Sequence, residues 1–112
     1  MEERNMLDIP KICAMLMLDT TSVVRLLRKF AIMLPESISE IESALAVEDI
    51  GLVNRLGHKL KGTAANFYLD ELQAIAAKIN TIESAKSADT KLLISELKSC
   101  CEQVIAEIAA LS

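Results

Sequence analysis

The chain carries one histidine in 112 residues, His58, and the side chains spaced around it define the chemistry open to it. On a helix each residue turns by about 100°, so residues three, four and seven apart share a face. Asn54, Arg55, Lys61 and Gly62 then stand one turn from His58, with Ala65 two turns on. Measured against the apolar stripe of the same segment, His58 points outward, roughly 130° from the stripe's centre. That direction disfavours a ligand buried in the core. Lys61 and Arg55 are placed to neutralise and hydrogen-bond an anion carried by the imidazole, while Lys59 lies further round, facing solvent or a partner. Gly62 costs about 1 kcal/mol relative to alanine in a helix interior, a cost that makes sense where another molecule must approach the ring. The plainer readings are a solvated basic surface for the cations and close helix packing for Gly62. No carboxylate lies one turn from His58.

Other chemistry is sparse. One histidine without a Glu-x-x-His motif cannot build a di-metal site of the usual bundle kind. Cys13, Cys100 and Cys101 are odd in number and lack the paired spacing and companion histidines of a zinc site. They are expected to be free thiols, buried or half-buried as small apolar residues, and no residue is assigned to a metal.

These groups must be held by helices. Asp8, Ile9 and Pro10 supply a cap and an early-turn proline for a short first helix over about residues 9–18. From Asp19 the chain restarts, and Val24, Leu27, Phe30 or Ala31, Leu34, Ile38, Ile41 and Leu45 form one stripe at steps of three and four. The stripe keeps its phase through Pro35, predicting one long, kinked helix. Glu48 and Asp49 suit the first turn of a third helix running to about Asn66. Its inner side is Ile50, Val53, Gly57, Leu60, Ala64 and Phe67. A fourth helix follows Leu69, Leu72, Ile75 or Ala76, Ile79 and Ile82. Past the small polar residues 84–90, a fifth follows Leu93, Leu97, Cys100, Val104, Ile108 and Leu111. The fold class is all-α: an antiparallel up-down four-helix bundle with a short additional N-terminal helix at one end, as a single domain over residues 1–112.

Composition agrees. Half the residues are apolar, drawn from aliphatics, and three glycines and two prolines leave few interruptions. A net charge of −4 argues against nucleic acid, whose binding rests on Lys and Arg neutralising phosphates. The opening Met-Glu-Glu-Arg-Asn lacks the layout of a secretory signal, and the apolar run at residues 12–18 is far below spanning length, so no membrane contact and a cytoplasmic location are expected. One chain's stripes suffice to close one core, which predicts a monomer.

The string His58-Lys59-Leu60-Lys61-Gly62-Thr63-Ala64 resembles the signature of histidine-containing phosphotransfer (HPt) domains: a histidine, any residue, leucine, lysine, glycine, serine or threonine, then alanine or serine. It falls midway along the chain, in the helix after a long one containing Phe30, and the resemblance extends over nearly the whole length, including Leu69 and Leu72. The resemblance implies a four-helix bundle whose exposed histidine accepts phosphate. It casts His58 as phosphoacceptor, Lys61 as the cation supporting the phosphoryl oxygens, Gly62 as the gap admitting a partner's active site, and Leu60 as the inward anchor. Asn54, Arg55, Lys59 and Ala65 are expected to border the partner. One position departs from the pattern: Tyr68 stands where the family commonly has glycine, which would ease a left-handed residue at the helix end.

The implied function is that of a carrier in a two-component phosphorelay, taking a phosphoryl group from a phospho-aspartyl receiver domain and passing it to another. Response-regulator receiver domains and a hybrid sensor kinase are the implied partners. No cofactor of its own is expected, Mg²⁺ coming from the receiver. A kinase is disfavoured by the lack of any glycine-rich nucleotide loop. The dimerisation domain of a sensor kinase typically has an acidic residue after its histidine and a proline shortly beyond, whereas Lys59 follows here and no proline is near. The alternative is a non-phosphorylated helical module that docks receiver or kinase domains. In either case an apolar patch with a charged rim is expected at the interface, with Met15, Met17 and Leu18 as candidates, at most one or two of them exposed.

Overall fold

Four of the five helices among the described residues start on a short polar side chain that takes an otherwise orphaned amide. Asp8 accepts from Lys11 N at 3.1 Å and opens α1, Ile9–Leu16. Asp19 accepts from Ser22 N at 2.7 Å and opens α2, Thr20–Ala46; hydrogen bonds from Ser22 hold its carboxyl below the usual range. Asp49 accepts from Leu52 N at 3.1 Å and opens α3, Ile50–Asn66. Ser87 accepts from Thr90 N at 3.1 Å and opens α5, Ala88–Ala109. Only α4, Asp70–Ile79, lacks a side-chain cap, and there Asp70 and Glu71 in the first turn and Lys78 in the last complement the helix dipole. The computed structural model describes residues 5–111; the first residues of the opening stretch read for a secretory signal fall outside that range.

The long helix runs unbroken through Pro35, which lies exposed on its outer side. Three helix ends differ from the sequence expectation. Met17 takes φ 56° and stops α1 at Leu16 instead of near residue 18. Glu48 takes φ 55° in the link, so Glu48 and Asp49 do not lie in the first turn of α3; Asp49 caps it. Ile82 is buried beyond the end of α4, on a turn in which its amide reaches Ile79 O.

Around the bundle α2 packs on α3, α3 on α4, α4 on α5 and α5 back on α2, while α1 packs on α2. The chain is therefore an all-helical bundle with one shared core. Leu27, Leu34, Ile41, Val53, Leu72, Ile79, Leu97 and Ile108 are almost wholly removed from water, each such side chain contributing about 1.5–3 kcal/mol. Phe30 and Phe67 meet at 5.1 Å between ring centroids, tilted by 44°, and fix α2 against the end of α3. At Gly57 the α3 helix comes close to the end of α4: a Cβ there would stand 2.6 Å from Asn80 N and 2.9 Å from the Ile79 carbonyl carbon. Beside it the Asn54 amide donates to Ile79 O and Ile82 O, both at 3.1 Å. No described helix is long and apolar enough to cross a membrane.

Candidate functional site

The phase that buries Val53, Gly57, Leu60 and Ala64 of α3 turns His58 to the surface, where the side chain is exposed and makes no hydrogen bond to any described residue. The imidazole thus has both nitrogens available. Helical side chains lean toward the N-terminus and cover the turn before their own Cα. Lys61 is half-buried, has no hydrogen-bond or ion-pair partner among the described residues, and starts one turn after His58, so this lean directs it toward the turn that carries His58. A side chain at position 62 would cover the imidazole itself. Gly62 leaves that volume open: an ideal Cβ there meets no heavy atom within 4 Å. Close packing, the other reading of Gly62, does not hold; Gly57 is the glycine that packs.

Two of the neighbours expected from spacing do not reach the imidazole. Asn54 is half-buried with its amide nitrogen spent on the carbonyls of Ile79 and Ile82, so it clamps α3 to the end of α4. Arg55 folds back along the helix, its Nη1 lying 3.5 Å from where a Gly51 Cβ would be. The backward lean that directs Lys61 toward the turn of His58 directs Arg55 away from it. Lys59 is exposed, its carbonyl accepting the Thr63 hydroxyl at 3.1 Å, and Ala65 is half-buried further along. Because residues 50–66 contain no Asp or Glu, the helix under His58 offers only positive charge. Such a surface favours an anion on the ring and provides no carboxylate to hold a cation. Among the described residues no group of three His, Cys, Asp or Glu side chains could hold a metal ion.

At the end of α3, Tyr68 takes φ 55°. It occupies the left-handed position of a C-terminal turn in which Leu69 N reaches Ala64 O and Tyr68 N reaches Ala65 O, each at 3.1 Å. The link thus forms without glycine. The Lys11 ammonium lies over the Tyr68 ring, 5.3 Å from its centroid, and ties α1 to this corner. The apolar tip of that tether is more open than expected: Met15, Met17 and Leu18 are all exposed, Met17 at 89%. The left-handed turn at Met17 lifts its side chain off the bundle end. Exposed Leu26 and Ile32 on α2 escaped the sequence reading, because a stripe rule marks the inner face and is silent on apolar residues outside it.

No curated protein and no solved structure matches the chain. A family model does, that of the Hpt domain, over residues 25–107, which takes in most of α2 and all of α3 and α4 as well as His58, Lys61 and Gly62. With most of its length matched and an all-helical bundle that presents a histidine on an outer helix face, the chain belongs to the Hpt domain family.

Proposed function

We propose that the protein is a histidine phosphocarrier in which His58 accepts a phosphoryl group from the phospho-aspartate of a receiver domain and yields it to another. The Hpt family implies histidine phosphotransfer in phosphorelays. The observation that carries the assignment to this residue is the open volume over an unpartnered, exposed imidazole, with Gly62 vacant above it and Lys61 on the same face. In the transfer, the lone pair of an unprotonated ring nitrogen forms the N–P bond as the acyl-phosphate P–O bond breaks, and the electrons leave with the partner's carboxylate. Lys61 steadies the phosphoryl oxygens. The divalent ion and acidic pocket that such transfers use are assigned to the receiver, since α3 carries no carboxylate.

The protein is proposed to have no kinase activity of its own, to act in the cytoplasm, and to meet response-regulator receivers and a hybrid sensor kinase. The test is incubation with a phosphorylated receiver domain and Mg²⁺, followed by intact-mass analysis at neutral to basic pH. A gain of one phosphoryl group in the wild type and none in His58→Gln is expected, with the variant's stability within about 0.5 kcal/mol of wild type because the residue is exposed. Receiver binding without any phosphoryl gain would favour the docking-module reading instead.

A further inference from the structure

The outer face of α2 carries a charge pattern that is its own complement. Arg25, Lys29, Ile32, Glu36 and Glu40 follow steps of four, three, four and four, which at about 100° per residue places them within a narrow arc of one helix face. All five are exposed, Ile32 at 70%. Both cations precede, and both anions follow, the Ile32–Met33 peptide at mirrored distances. Among the described residues none of the four charges has an ion-pair partner within 4 Å, Arg25 acting only as a minor charge on Asp19, whereas Glu42 and Glu48 are paired with Lys98 and Lys86.

We infer that this face is a self-association surface, and its occupant is a second copy of the chain, with two α2 helices crossing antiparallel about a two-fold axis at the Ile32–Met33 peptide. A two-fold axis brings one surface against itself, so each residue meets its mirror mate. Arg25 then faces Glu40 of the other copy and Lys29 faces Glu36, each pair occurring twice, while the two Ile32 side chains bury each other at the crossing. A shallow groove on the cationic half, lined by Val24, Arg25, Arg28, Lys29 and Ile32, receives the second copy's Glu40. The core closes within one chain, so association joins folded monomers. One helix face is smaller than a stable interface and each chain carries a net −4, which sets the dissociation constant on the order of 1 mM.

The decisive experiment is a charge exchange. Two double variants are made, Glu36→Lys with Glu40→Lys, and Arg25→Glu with Lys29→Glu, all four positions being exposed and tolerant of change; circular dichroism confirms the fold. In about 50 mM salt the wild-type rotational correlation time by NMR should climb toward roughly twofold as concentration passes 1 mM, and fall back in about 0.5 M salt, where screening is nearly complete. Each double variant alone should stay monomeric, and a one-to-one mixture should associate more tightly than the wild type. A monomeric wild type under these conditions, a mixture that fails to associate, or charge reversals that only slow phosphoryl transfer from a receiver would overturn the assignment.

Discussion

Two glycines of α3 look alike in the sequence and do opposite things. Gly57 faces inward, where an added methyl would meet backbone of α4 at 2.6 Å, and neither backbone can yield cheaply. Gly57→Ala should therefore destabilise by about 1–3 kcal/mol, read as a lower urea midpoint. Gly62 has nothing within 4 Å, so Gly62→Ala should raise stability by up to about 1 kcal/mol through helix propensity alone. A longer side chain there leans over His58, and Gly62→Leu should keep the fold while slowing phosphoryl transfer about tenfold or more; unchanged transfer would mean that the partner does not come in over that turn. Lys61→Ala should likewise fold normally and transfer more slowly, since the residue is bonded to no described residue. Helical phase made this division legible, placing Gly57 on the inner stripe and Gly62 on the outer face. Phase alone treats Arg55 and Lys61 alike, because it fixes where a Cα stands; the N-terminal lean common to helical side chains is what separates them.

Three helices end on a left-handed residue, and none is glycine: Met17, Glu48 and Tyr68 all have φ near 55°, while every glycine of the chain lies inside α3. A non-glycine residue in this region costs about 1 kcal/mol. Glu48 is exposed and its contact with Lys86 at 3.7 Å is solvated, worth little, so Glu48→Gly should stabilise by roughly 0.5–1 kcal/mol, seen as a rise of a few degrees in Tm. Tyr68→Gly gains the same backbone term but loses a half-buried ring and the Lys11 ammonium over it; the net change should be near zero, with α1 loosened in hydrogen exchange. These ends explain where the sequence reading stopped. Stripe phase carried α2 correctly through Pro35, since apolar periodicity is set by the core. Helix termini without glycine leave no composition signal: α1 ends before its apolar stripe does, and Glu48 lies outside the helix that its charge suits. Asn54 was legible as a polar residue near the site but not as a clamp, because its partners, Ile79 O and Ile82 O, are backbone atoms far along the chain.

At the scale of the whole molecule, the core is mostly aliphatic and includes two adjacent thiols, Cys100 and Cys101, both buried although neighbours on a helix point about 100° apart. They fit because α5 lies between α2 and α4 and so buries two flanks at once. Burial, with the charges of Glu71 and Glu107 adding to it, pushes the Cys100 thiol up to about 11, and burial, with Cys100 beside it, pushes Cys101 up to about 12. In the unfolded chain both ionise near 8.5. Folded-state values raised above the unfolded ones mean that their contribution to stability is complete below about pH 8.5 and is lost as pH rises toward 11 and 12. Between pH 7 and pH 10 the urea midpoint should fall by the equivalent of about 4 kcal/mol, about 2 from each thiol, and Cys13→Ser, which leaves both buried thiols in place, should fall in parallel. Thiol labelling at pH 8 reports the same burial independently: half-buried Cys13 should react promptly, and Cys100 and Cys101 only as fast as the bundle opens. Prompt reaction of all three would place the α5 thiols at the surface and remove the reason for the alkaline loss.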